Sequence, residues 1–209
     1  MIDDQEACAI NLLYTIGHSN LELGRFIDLL MKNRISAVAD VRSIPVSRFA
    51  PQFSRDHLEN ALVQAKIHYV YLGRELGARP DDDDCIVDGR VQFNRLARTP
   101  RFLSGIERLV DGSKRHSVAI MCTEKDPLDC HRTILIARVL NERGLHILHI
   151  HGDGGLERHA DAMDRLKDRF ELGRPDLFSS PEDLLAEALS RQERRIAFVP
   201  NRTEVTPTS

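Results

Sequence analysis

The chain of 209 residues has no tryptophan, three tyrosines and only 5% aromatic side chains, too few for the stacking platform on which single-stranded nucleic acid is usually held. Its four cysteines, Cys8, Cys85, Cys122 and Cys130, are sparse for this length and do not suggest a disulfide framework. A reducing, cytoplasmic setting is therefore expected. No uninterrupted apolar run approaches the roughly 20 residues that cross a bilayer, so no membrane helix is expected either. The opening MIDDQEACAI carries three acids and no basic residue, the wrong charge pattern for a secretory or mitochondrial signal. A surplus of one charge is also missing. The formal net charge of -3 gives no bulk attraction to nucleic acid or to an anionic membrane, although a local basic cleft is compatible with it.

What is present is enough apolar material, 42% of residues, for one sizeable core. Five β-like segments, residues 12–16, 35–41, 67–72, 117–122 and 146–151, alternate with helical spacing. Such alternation predicts an α/β fold with a largely parallel sheet covered on both faces. Leu23, Phe26, Ile27 and Leu30 make one apolar stripe, and Leu58, Ala61, Leu62 and Ala65 another. Expected caps are Ser19 or Asn20 for the first helix, Ser54 for the second and Thr99 with Pro100 for the third, which Gly112 would stop. Asp126 and Pro127 predict the start of a fourth helix that Gly144 ends. Two long connections, residues 42–53 and 73–90, are expected to be functional or mobile, and the aspartates 81–84 read as a solvated loop. Residues 10–160 are expected to form one α/β domain and 161–200 a helical extension packed on or beside it. The tail 201–209 is expected to lack fixed structure.

The densest run of reactive side chains is MCTEKDPLDCHR, residues 121–132. It offers Cys122, Glu124, Cys130, His131 and Arg132 across a strand end, a turn and the first turn of the expected helix. Amides at a helix start favour anions and lower a thiol's pKa, which makes Cys130 a candidate thiolate. Neighbours on a helix diverge by roughly 100°, so Cys130 and His131 are not automatically a hydrogen-bonded pair. Cys122, Cys130 and His131 also have the chemistry of zinc ligands, but the spacing C-x7-C-H is unlike the short C-x2-C knuckles. On that ground no residue is assigned to a metal. Seven intervening residues likewise differ from the C-x-x-C of thiol oxidoreductases.

Three further clusters follow strands. TIGHSN, residues 15–20, brings His18 and Ser19 beside a capped helix. ADVRSIPVSRF, residues 39–49, puts Asp40 and Arg42 at the end of a buried strand, where charges are costly unless paired or used. Arg42, Arg48 and Arg74, the last from YLGRELGARP, have the planar forks that hold phosphate. HGDGGLERH, residues 151–159, reads as a turn.

In order, TIGHSN, ADVRSIPVSRF, YLGRELG and MCTEKDPLDCHR resemble the family called domain of unknown function 488, over roughly residues 12–155. Its pattern of C-x-E, a short acidic turn and C-H-R falls on Cys122, Glu124, Cys130, His131 and Arg132. T-I-G-H-S falls on residues 15–19 and D-V-R on residues 40–42. The resemblance implies a Rossmann-like α/β domain with a mainly parallel sheet of about five strands and helices on both faces; it implies no activity, cofactor or substrate. The leading expectation is an enzyme acting on a phosphate-bearing substrate, a nucleotide or nucleic-acid component. Cys130 would be its nucleophile, Cys122 a second thiol, Glu124 or His131 the proton carrier, and Arg42 and Arg132 the anion clamp. His18, Ser19, Asp40, Arg48 and Arg74 would complete the binding site. The alternatives are a non-catalytic nucleic-acid or protein binding module and a zinc-dependent hydrolase.

Overall fold

The computed structural model describes residues 12–46, 49–173 and 179–200. In chain order the elements are β1 (Leu12–Gly17), α1 (Leu23–Lys32), β2 (Ala37–Asp40), α2 (Arg55–Gln64), β3 (His68–Tyr71) and a short α3 (Gly73–Leu76). A hairpin of β4 (Ile86–Val87) and β5 (Arg90–Val91) follows, then a short α4 (Phe93–Leu96), α5 (Pro100–Ser113) and β6 (Val118–Cys122). The chain ends with α6 (Arg138–Glu142), β7 (His146–Ile150), β8 (Leu156–Arg158), α7 (His159–Arg169) and α8 (Pro181–Ile196).

Six strands form the main sheet in the order β3-β2-β6-β1-β7-β8. The first five are parallel and β8 runs antiparallel on the edge. Parallel strands must be covered on both faces, and their residues divide accordingly. Ile16, Val38, Ala119 and Met121 pack with Phe26, Leu29 and Leu30 of α1 and with Leu58 and Leu62 of α2. Leu13, Ala39, Val118 and Ile120 meet Phe102, Ile106 and Leu109 of α5, and the same core takes in Leu166 of α7 and Ala188 of α8. The expected Rossmann-like α/β sheet is thus present, with one edge strand more than the five anticipated. Among the described residues no helix is long and apolar enough to cross a membrane.

Several local expectations need correction. The first helix is capped by neither Ser19 nor Asn20: its N-cap is Glu22, without a side-chain cap. The cause is the sheet, because the amides of His18 and Ser19 continue the ladder onto the carbonyls of Cys122 and Thr123 at 3.0 and 2.8 Å. Ser19 then turns through φ 45° before the helix starts. Ser54 does stand at the N-cap of α2. Thr99 does cap α5, its hydroxyl accepting from the Phe102 amide at 3.2 Å, but the helix runs through Gly112 to Ser113. The aspartates 81–84 are all exposed, as expected of a solvated loop, with the addition that Asp82 caps a 3-10 turn over Asp83–Cys85.

Between β1, β7 and α7 lies a buried polar chain in which the Thr15 hydroxyl meets His149 Nδ1 at 2.7 Å and His149 Nε2 meets His159 Nδ1 at 3.2 Å. Burial, and for His149 also the neighbouring His159, drives both imidazoles down, to about 2 for His149 and about 4 for His159. A histidine with a lowered folded pKa is protonated first in the unfolded chain, so its stability contribution is complete above about pH 6.5 and is lost as pH falls toward 4. For His159 alone the loss expected by pH 4 is about 3 kcal/mol. Urea unfolding at pH 7 and pH 4.5 measures it, and His159→Gln should reduce the difference; equal slopes in both proteins would contradict the assignment.

Candidate functional site

The carboxyl ends of β2, β6 and β1 lie side by side, and the residues that follow each strand converge there. β1 ends at Gly17, which has to be glycine: a Cβ there would sit 1.8 Å from the carbonyl oxygen of Glu124 and 3.0 Å from the Arg132 guanidinium. Backbone cannot move aside as a flexible side chain can. Gly17→Ala is expected to cost roughly 2–3 kcal/mol through overpacking. A fall in melting temperature would register it; an unchanged one would mean that the 123–125 turn yields freely.

β2 ends at Asp40, which forms a closed pair with Arg42 two residues on. Asp40 is fully buried and Arg42 is 4% exposed. Arg42 donates from Nε at 2.9 Å and from its terminal nitrogen at 2.6 Å, with the backbone amide at 3.1 Å. Tyr69 donates its hydroxyl to the same carboxylate at 2.8 Å. The remaining terminal nitrogen of Arg42 faces His18 Nε2 at 3.3 Å, while His18 Nδ1 faces the Ser19 carbonyl at 3.0 Å. His18 must therefore be neutral, with Nδ1 donating. Burial, then the Arg42 charge, lowers its pKa to about 4. Its ring stacks on Phe53 at 4.3 Å.

After β6 the helix expected from Pro127 does not form as one piece. Asp126 caps only a 3-10 turn, Pro127–Asp129, and Cys130 is extended, with φ -137° and ψ 141°. A π-helical stretch, Arg132–Ala137, then leads into α6. Such π turns often occur at functional sites. Cys130 thus lies ahead of the helix instead of in its first turn, with its sulfur 3.8 Å from the adjacent imidazole. The turn is clamped from outside. Arg165 holds Asp126 through two nitrogens at 2.9 and 3.0 Å, and Gln192 of α8 donates to the Leu128 carbonyl at 2.9 Å. Burial alone would raise the pKa of Asp126; the Arg165 fork, the Leu128 amide and Arg169 outweigh it and hold it at about 2.

Within this frame Cys130 Sγ is hydrogen-bonded to Glu124 Oε2 at 2.7 Å and accepts the Arg132 amide at 3.4 Å. His131 Nδ1 is 3.8 Å from Cys122 Sγ and 3.8 Å from Cys130 Sγ. The other ring nitrogen meets the Val41 carbonyl at 3.2 Å. Burial resists charge at Cys130, but the bond to Cys122, the Arg132 guanidinium and His131 bring its pKa well below the ordinary thiol range. Cys122 moves the opposite way, raised by its bond to Cys130 and by burial. Burial and the Cys130 charge raise Glu124. For His131, burial works against protonation, yet the bond to Cys130 and its charge raise the pKa overall. These directions favour negative charge on the Cys130 sulfur and disfavour it on Cys122 and Glu124.

These groups form the floor of a cleft of about 470 Å³. Arg42 and Arg79 also line it, and Val46, Phe49 and Phe198 give it an apolar wall. Of the residues singled out in the sequence, Cys122, Glu124, Cys130, His131 and Arg42 meet here, with His18 and Asp40 behind Arg42. Arg132 is 1% exposed and its guanidinium is occupied by the Glu124 carbonyl at 2.8 Å, so it braces the turn instead of clamping a ligand. Ser19 lines a separate cleft with Lys125 and His151. Arg74 is exposed in a hollow beside Glu75 and Arg101 and does not reach the thiols. Arg48 lies outside the described residues. Sequence reasoning missed Arg79, whose guanidinium sits 4.7 Å over the Phe198 ring, and the wall that the end of the chain supplies. Arg79 stood inside YLGRELGARP without a local sign to distinguish it from Arg74; Phe198 carried no sign at all.

Among protein families, the one described as "Domain of unknown function DUF488" matches residues 22–139. That span includes Asp40, Arg42 and the whole run from Cys122 to Arg132, and it leaves out His18, Ser19 and α8. Neither the curated proteins nor the solved structures give a significant match.

Proposed function

The chain belongs to the family of domain of unknown function DUF488, and from that premise we propose that the strand-end cleft is the active site of a thiol-dependent enzyme, a hydrolase or transferase, acting on a phosphate-bearing substrate such as a nucleotide. One observation carries the proposal: the Cys130 sulfur, at the floor of an open cleft, is ringed by the Glu124 carboxyl, the Arg132 amide and the His131 imidazole. A thiol so surrounded needs little reorganisation to act as a nucleophile. Cys130 attacks the electrophilic centre, and the bond to the leaving group breaks as that group takes a proton from Glu124. Water then releases the bound group in a hydrolase, and an acceptor takes it in a transferase.

Among the described residues of the cleft, the cation available to a phosphate is Arg79, while Arg42, paired with Asp40, lines the same cleft and adds its charge there. Val46, Phe49 and Phe198 suit the flat or apolar part of the same molecule. Incubating the chelator-treated protein with a panel of nucleotides and phosphate esters tests the proposal. Turnover is expected for at least one compound, and a ligand present at 100 times its dissociation constant should add about 2.7 kcal/mol to stability. A panel giving neither turnover nor thermal stabilisation would remove the support for this function.

A further inference from the structure

Three donor atoms of the cleft floor form a compact set that thiol chemistry alone does not require. Cys122 Sγ, Cys130 Sγ and His131 Nδ1 lie within 4.8 Å of one another, and all three residues are buried. The imidazole nitrogen is equidistant from the two sulfurs, 3.8 Å from each, too evenly shared for one well-formed hydrogen bond. Around a tetrahedral zinc ion, with Zn–S about 2.3 Å and Zn–N about 2.0–2.1 Å, the sulfur-to-nitrogen edge is about 3.6 Å. The edge found here is therefore close to that of an occupied site.

The surroundings fit as well. His131 Nε2 faces the Val41 carbonyl at 3.2 Å, which orients the ring with Nδ1 toward the sulfurs, the way metal-bound histidines are commonly held. Two thiolates against one divalent cation leave no net charge, which limits the cost of burying the ion. All three residues line the cleft, so the fourth side of the set is open to water or to a substrate group. A soft cation suits sulfur donors better than magnesium or calcium, which take oxygen.

We infer that Cys122, Cys130 and His131 bind one soft divalent cation, zinc being the probe, and that its binding masks the Cys130 nucleophile; the regulatory half rests on the thiol enzyme proposed above. Both sulfurs bind as thiolates, each donating a lone pair to the ion, and any proton still on a thiol leaves to solvent, so no oxidant or reductant is involved. Metal loss restores the thiol.

The full chain, stripped with a chelator, is dialysed against zinc and then buffer, and its zinc content is measured. One ion per chain is expected, held about 100-fold more weakly in Cys122→Ser and in His131→Ala. Cobalt in place of zinc should give thiolate-to-metal charge-transfer absorption in the unmodified protein, a reading that does not depend on any variant folding. Added zinc should slow alkylation of Cys130 at least about 10-fold. No retained zinc, no charge-transfer band, or retention unaffected by both substitutions would overturn the metal site. If Cys130 alkylates readily in the stripped protein and no zinc is held, the inference fails and the enzyme stands. If zinc is held through these donors but Cys130 is inert after stripping, the enzyme and the masking fail together and only the metal site remains.

Discussion

Cys130→Ser is expected to lower kcat on the substrate found in the nucleotide panel by roughly 1,000-fold or more, with little change in KM. The replacement is nearly the same shape, and an oxygen at that position still bonds Glu124 and accepts the Arg132 amide. What it loses is a sulfur able to hold negative charge beside His131 and Arg132, because a serine hydroxyl is far less acidic. Cys122→Ser should do less. Cys122 is a donor to Cys130 and its own pKa is raised, so it supports the nucleophile without being one. Steady-state kinetics of the two variants separate the roles; equal losses, or a Cys130→Ser enzyme within about 10-fold of normal, would transfer the chemistry to another group.

Asp40→Ala is expected to destabilise the fold by roughly 3–5 kcal/mol, the usual cost of leaving one member of a buried ion pair without its partner. Arg42 would keep its charge at 4% exposure with no carboxylate against it, and the Tyr69 hydroxyl would lose its acceptor. The pair also sets the cleft, since Arg42 reaches both His18 and the cleft wall. Adding Arg42→Ala to Asp40→Ala should therefore recover part of the stability, because the stranded charge goes with it. Urea denaturation of the two single variants and the double one measures this; strict additivity, or a loss below about 1 kcal/mol for Asp40→Ala, would show that the charges are not coupled.

How far the sequence revealed this arrangement depended on how local each cause is. The central parallel strands were legible because burial on both faces demands continuous apolar runs, as in Val118–Cys122, whereas the edge strand β3 shows the alternation of a half-exposed one. The edge strand Leu156–Arg158 was not, since its pairing comes from β7 and its own residues are short, charged and largely exposed. The β4–β5 hairpin could have been found. Asp88 and Gly89, both at positive φ, form the two-residue turn that such a dipeptide favours. Asp126 and Pro127 gave a true helix-start signal that is used for a single turn, after which contacts from Glu124, Arg165 and Gln192 draw Cys130 into extended backbone. That is tertiary structure overriding a correct local preference. At the site, the reactive cluster was legible because its members are close in sequence. Whether an arginine binds ligand or bonds its neighbours was not, because Arg42, Arg74, Arg79 and Arg132 look alike in the chain and differ only in what they meet.

Timed alkylation with iodoacetamide at neutral pH, after chelator treatment and followed by peptide mass analysis, shows whether Cys130 is the reactive thiol of the strand-end cleft. Cys130 should be modified well ahead of Cys85 and Cys122, which are buried as it is but have raised pKa values where its own is lowered. Modification of all three together, or only after the fold is denatured, would contradict the claim.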